Sequence, residues 1–156
     1  MRIKCLRILS LLDKSDQGAK TNYLTVGKEY IVLVIYFKGK NLSFQIEDDS
    51  GDITIFEADQ FEITSNYIPT NWEINFDVFP SGAYYLELSP KSWNEYYKRY
   101  EDYPDSFYEK IIEVETPLES WRGHPGAPEI VEVYFQAKDL IYREEKEYSL
   151  KQLQQK

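Results

Sequence analysis

The chain has 156 residues, 42% of them hydrophobic and 16% aromatic, and a formal net charge of −9. These values predict a single domain over residues 1–156, able to bury a core without staples and too apolar for a disordered body. One cysteine, Cys5, excludes an intrachain disulfide and fits a reducing, cytoplasmic setting, and no stretch approaches the ~20 apolar residues that a membrane helix needs.

The charge is unevenly spread. Residues 1–40 carry eight basic and three acidic residues, residues 41–90 ten acidic and no basic ones, and residues 91–156 ten basic and fourteen acidic. An acidic segment of this kind disfavours a phosphate backbone as ligand and favours a basic protein partner. Plain solubility is the competing explanation.

Met1 to Leu12 reads as a first strand whose facing is unclear, with Arg7, Asp13 and Lys14 breaking the apolar run that a signal peptide would require. Ser15 to Asn22 is a polar loop. Tyr30 to Phe37 is apolar on both faces and too short for a typical helix, so it reads as a central strand covered on both sides. A turn at Lys38–Asn41 leads to a strand with Leu42, Phe44 and Ile46 on one face. Asp48–Asp52 is a turn, with Gly51 at its left-handed position. Alternate oxygens at Asp48, Ser50, Asp52 and Thr54 suggest a calcium loop, but Ile53 and Asp59 stand where an EF-hand needs Gly and Glu.

Ile53 to Phe56 continues as a strand. Phe61 and Ile63 are expected inside, with Glu62 and Thr64 outside. Trp72, Ile74, Phe76 and Val78 alternate with Glu73, Asn75 and Asp77, so the apolar set is expected to face the core. Phe79–Gly82 has the pattern of a type I turn, and Tyr84, Leu86 and Leu88 form the return strand.

Ser89 and Pro90 start a helix near 90–101, whose stripe of Trp93, Tyr96, Tyr97 and Tyr100 is either core or a partner anchor. A second helix, near 104–115, starts at Asp102–Asp105, carries Phe107, Tyr108, Ile111 and Ile112, and stops by Pro117. Glu119 to Pro128 is a loop with Trp121, Arg122 and His124, either a binding element or a packed surface loop. Val131, Val133 and Phe135 on one side make 129–136 a late strand of the same sheet. The core is thus expected over about 1–136, with 137–156 a C-terminal helix or frayed tail. The fold class is α+β: a twisted, mainly antiparallel sheet or small open barrel with two to three helices packed on it.

Catalytic chemistry finds little support. One His and one Cys make neither a zinc site nor a nucleophile–base pair with any local signature, and no Gly-rich phosphate loop occurs. No enzyme, cofactor or metal is expected.

The phrases LTVGKEYIVLVIYF, FQIEDDSGDITIFEADQFEI, IPTNWEI and LELSPKSWNEYY, spanning residues 24–100, resemble small bacterial immunity proteins. These sit beside polymorphic or contact-dependent toxins and share a GK-Y-V, I-DD-G, FEI, IP-W, L-P-W order with an SH3-like barrel start. The resemblance implies a monomer or weak homodimer that neutralises a cognate toxin domain, expected to be of a basic nuclease type and bound by charge-complementary contact, with neither nucleic acid nor membrane as partner. The contact would use outward acidic residues: Asp48, Asp49 and Asp52 in one turn, Glu57, Asp59 and Glu62 nearby, and more weakly Glu73, Asp77 and Glu87. The alternatives are a generic acidic interaction or scaffold domain and an acidic mimic of nucleic acid.

Overall fold

Tyr30–Phe37, the most apolar run of the chain, organises the sheet. In the computed structural model it lies within β2 (Glu29–Lys38). The structure describes residues 1–10, 14–78, 82, 84–99, 107–114 and 118–154, without the side chains of Asp77, Tyr97, Tyr108 and Glu109. The expected turn at Phe79–Gly82, the helix start at Asp102–Asp105, Tyr100 and Pro117 therefore lie wholly or mostly outside the described residues.

Around β2 stand β1 (Arg2–Cys5), β3 (Asn41–Glu47), β4 (Ile53–Glu57), β5 (Phe61–Ser65), β6 (Trp72–Val78) and β7 (Tyr84–Pro90). Every pairing is antiparallel, and the seven strands form an open sheet, not a closed barrel. One edge of β2 pairs with β3 and onward to β4. The other edge is shared, with β1 at residues 29–31 and β7 at residues 35–38. The sheet therefore forks into an arm β1–β5 and an arm β7–β6.

The β2–β3 register shifts between Val32 and Val34. This irregularity lets two successive residues, Leu33 and Val34, face the helices while Tyr30, Val32 and Ile35 face the other way. Two cores result. The first lies under α1 (Lys91–Arg99), α2 (Phe107–Ile112) and α3 (Glu129–Gln154), and contains Leu33, Val34, Trp93, Phe107, Ile111, Tyr134 and Ile141. The second is held by strands β1 to β5 and contains Ile3, Cys5, Val32, Phe44, Ile46, Phe56 and Phe61. Gln60, buried before β5, ties the end of β1 to it: its carbonyl accepts from Leu6 N and its side-chain oxygen from Leu9 N.

Three expectations are corrected. The late strand at 129–136 is the start of α3, a 26-residue helix. Its buried residues Ile130, Tyr134, Ala137, Ile141 and Glu145 recur every three to four positions, a helical period that outweighs the alternation of Val131, Val133 and Phe135. Residues 137–154 accordingly continue this helix, with a buried side that reaches Glu145 and an exposed end at 150–154. Glu145 has no exposed surface and pairs with the Met1 amine at 3.0 Å and Arg2 at 3.5 Å. The first strand ends at Cys5, well short of Leu12, where the backbone turns toward Gln60. Ile63 is exposed: of the two expected inward residues of β5, the second core covers Phe61 but does not reach Ile63.

Trp93 is buried and stacks on Phe107 and Tyr134 with ring centroids 4.6 and 5.8 Å apart. Trp72 is half-buried where the two cores meet.

Candidate interaction surface

The acidic turn faces inward. Asp48 is 6% exposed. Its Oδ1 accepts from Ser50 N (2.9 Å), Ser50 Oγ (2.6 Å) and Asp52 N (3.2 Å), and its Oδ2 from Thr54 Oγ1 (2.7 Å). The alternating oxygens that suggested a cation loop are hydrogen-bonding to one another. Asp49 is tied to Lys28, Thr25 Oγ1 (2.6 Å) and Tyr30 Oη (3.1 Å). Burial opposes its charge, but these three donors outweigh that and hold its carboxyl below the usual aspartate value. Burial, with help from Asp49, pushes the Tyr30 hydroxyl up to about 12. The expectation that Asp48 and Asp49 point outward is therefore wrong: both carboxylates are committed to shaping the turn. Asp52 is half-buried and bonded to Ser50 Oγ at 3.0 Å.

The rest of the acidic segment is largely neutralised by bases from distant parts of the chain. Glu57 pairs with Lys14 (2.7 Å), Asp59 with Arg7 (3.0 Å), Glu47 with Lys138, and Glu73 with Lys98 (4.0 Å). Glu87 accepts from Tyr85 Oη. Glu62 is exposed. The side chain of Asp77 lies outside the described residues. Charge that is segregated along the sequence is thus intermixed in space.

Trp121 is half-buried against the first core, while most of the loop around it is exposed. Arg122 binds Glu119 and Asp139 and sits 4.9 Å from the Phe135 ring centre. His124 accepts from Gly126 N through Nδ1 at 3.1 Å and meets Trp121 edge-on. A groove of about 860 Å³ runs between the second half of α3 and the start of β2, but its lining mixes Arg2, Lys28 and Arg143 with Glu29, Glu47 and Asp48. Such a lining selects no sign of ligand charge. Among the described residues no three His, Cys, Asp or Glu side chains could hold a metal ion, and no helix is long and apolar enough to cross a membrane.

The largest departure from expectation is in β6. Ile74, Phe76 and Val78 are 67%, 64% and 54% exposed. Side chains directly opposite in an antiparallel sheet share a face. One row across the sheet is Ile74, Leu88, Ile35 and Phe44; the next is Phe76, Leu86, Phe37 and Leu42; Val78 and Tyr84 begin a third. Exposure rises along the first row from Phe44, at 2%, to Ile74. The second core therefore runs, without a polar break in these rows, into an uncovered apolar strip. Glu73 and Asn75, expected outside, lie on the opposite face, which the helices partly cover: Glu73 faces Lys98, and Asn75 Nδ2 donates to the buried Ser89 Oγ at 3.4 Å. The alternation in β6 is as expected and its apolar set shares the face of the second core, but among the described residues nothing covers that face at Ile74, Phe76 and Val78.

Phe37 and Tyr84, 39% and 49% exposed, adjoin Ile74, Phe76 and Val78 in these rows, so the exposed apolar residues form one contiguous patch, the kind that marks an interaction site. Comparison of the chain with protein-family models, curated proteins and solved structures finds no match.

Proposed function

We propose that this protein is a non-catalytic binding protein that neutralises a toxin domain by direct contact, and that the contact is centred on the apolar strip of β2, β7 and β6. The resemblance of residues 24–100 to immunity proteins motivates the toxin, and the exposed strip supports the binding role. Burying apolar side chains of this size is favourable at ~1.5–3 kcal/mol each, a contribution that can offset part of the ~4–15 kcal/mol cost of association. A polar rim would have to bring the contact to the ~800 Å² per partner of a standard interface. The ion pairs of Glu47, Asp49, Glu57 and Asp59 weigh against a nucleic-acid mimic, which needs carboxylates free of internal cations.

The test is to capture binding proteins from the source cells on the purified protein, identify them by mass spectrometry, and mix the protein with any toxin domain so found. A stable one-to-one complex that abolishes toxicity is expected, and Phe76→Lys should weaken it at least thirtyfold, as for an interface anchor. The proposal fails if no complex forms, or if the Phe76→Lys protein protects as well as the parent.

A further inference from the structure

We infer that residues 66–70 form an acid-released strap, latched to α3 by the Glu144 carboxylate, a moving part of the fold that goes beyond the proposed function and does not depend on it. The strap joins β5 to β6 and so bridges the two arms of the forked sheet. Its ends are pinned. Ser65 pairs with Arg2 of β1, and the Asn71 carbonyl accepts from Lys91 N at 2.7 Å. Two local bonds lie between these points, Tyr67 N to Ser65 Oγ at 3.5 Å and Trp72 N to the Pro69 carbonyl at 3.2 Å. Among the described residues, every other hydrogen bond of the strap ends on α3.

Glu144 takes three of them. Its Oε2 accepts from Tyr67 Oη (3.1 Å) and Thr70 N (2.8 Å), and its Oε1 from Thr70 Oγ1. One helical turn on, Tyr148 Oη donates to Asn66 Oδ1 at 3.4 Å, and the Tyr148 ring stacks on Tyr67 with centroids 4.8 Å apart. Pro69 is the one buried residue of the five, and Ile68 is exposed, so little apolar contact holds the strap down. Asn71 Oδ1 and Trp72 Nε1, which adjoin the strap, are buried without hydrogen-bond partners among the described residues. Both stand to gain water when the strap lifts, which offsets part of the cost of opening.

The charge of Glu144 decides which state wins. Burial opposes that charge, but Thr70 and Tyr67, with Arg143, outweigh it and hold the carboxyl below the usual 4.5. A lowered folded value means that the latch holds at neutral pH and is lost as pH falls through that value. Burial, then Glu144, raises the Tyr67 hydroxyl above its ordinary 10, so it remains a donor throughout. The other charged or titratable groups around the latch are Arg143, Glu145, Glu147 and Tyr148 on α3, and the Met1 amine and Arg2, both bound to Glu145. Among the described residues Glu147 accepts no hydrogen bond from the strap.

The experiment follows amide hydrogen exchange of the whole protein by nuclear magnetic resonance, with the ring resonances of Tyr67 and Tyr148 as a second reading. Acidifying the parent through a midpoint below the usual glutamate value should lower protection of the Thr70 amide about tenfold or more, as loss of a charge-assisted bond requires. The Tyr67 and Tyr148 ring shifts should move toward those of unstacked tyrosine, while the β2 and β3 amides keep their protection. Glu144→Gln, which removes the charge and one acceptor oxygen, should show the released behaviour at neutral pH and change no further on acidification. Glu147→Gln is the control and should match the parent in both readings. The inference is overturned if Thr70 keeps its protection in Glu144→Gln, if Glu147→Gln has the same effect, or if Thr70 is unprotected in the parent at neutral pH. If Glu144→Gln does not fold, the acid titration of the parent decides alone: release of the strap with the sheet intact supports the latch, and simultaneous loss of Thr70 and β2–β3 protection overturns it. None of these readings involves the partner, so failure of the toxin test and failure of the strap are separate results.

Discussion

Removing the Asp48 carboxylate should unfold more than a turn. Asp48→Ala deletes the acceptor for two backbone N–H groups and two hydroxyls. Ser50 is exposed, so water can take over its donors at little cost. Asp52 N and Thr54 Oγ1 are part-buried and lose charge-assisted bonds. Net contributions of ~1–1.5 kcal/mol for each of these give about 2–3 kcal/mol in total. For a chain of this length ~2–4 °C accompanies each kcal/mol, so the melting temperature should fall by about 5–10 °C. Asp52→Ala is the control. It loses one exposed bond to Ser50 Oγ and should stay within ~0.5 kcal/mol of the parent. Circular dichroism melts of the parent and both variants decide the matter. Equal melting of Asp48→Ala and the parent would refute the role given to the carboxylate. Charge reversal of Asp48, Asp49 and Asp52 together would for the same reason lower stability, and could not serve as a clean probe of binding.

Three further outcomes follow from the same contacts. Asp49 and Glu144 are both held below their ordinary values of 3.8 and 4.5: burial opposes this in each, and is outweighed by Lys28, Thr25 and Tyr30 for Asp49 and by Thr70 and Tyr67 for Glu144. A depressed folded value means stabilisation that is complete above those ordinary values and is lost as pH falls through the folded ones, so urea midpoints should drop below about pH 4, and less steeply in Asp49→Asn. Trp93→Ala, which removes a ring stacked on Phe107 and Tyr134, should cost ~3–5 kcal/mol by urea denaturation, whereas Phe76→Lys, at an exposed site, should cost under ~1 kcal/mol. Lys138→Met leaves the partly buried Glu47 without its cation and should cost ~2–3 kcal/mol; adding Glu47→Gln should recover more than half of that in a double-mutant cycle.

The parts of this fold that could be read from the sequence were those in which a local pattern has one physical solution. Eight consecutive apolar residues at 30–37 suit a strand covered on both faces. The β6–β7 hairpin followed from two alternating runs and a Pro–Gly turn signal, and its register runs without a break from Trp72–Pro90 to Val78–Tyr84. Errors arose where two patterns coexist. Residues 131–135 satisfy a strand period, and only extending the window past Ala137 to Ile141 and Glu145 shows the helical one. The acidic run misled for a different reason. Its cations, Arg7, Lys14, Lys28, Lys98 and Lys138, are supplied by other parts of the chain, and counting charge within a segment cannot reveal them.

The β6 face shows where sequence periodicity stops. Alternation divides a strand into an apolar and a polar face, but burial of the apolar one requires something to cover it. Here the helices α1 to α3 form one layer on the Leu33 and Val34 side of the sheet, and the second core is enclosed by strands β1 to β5. Among the described residues no element remains to lie over Ile74, Phe76 and Val78. Turning β6 over would place Glu73 and Asn75 on that open side, but it would also break the register to β7 and set Ile74 and Phe76 where Asn75 now meets the buried Ser89, because a one-residue slip exchanges both faces at once. The exposed strip is therefore the consequence of a pairing that satisfies Trp72, Leu88 and Ser89. Its large aromatic and aliphatic residues are unnecessary for that pairing, since Thr or Ser at 74, 76 and 78 would pair equally well and be better solvated. Their exposure on a sheet face that no described element covers is what a docking surface requires and what a solvated hairpin does not.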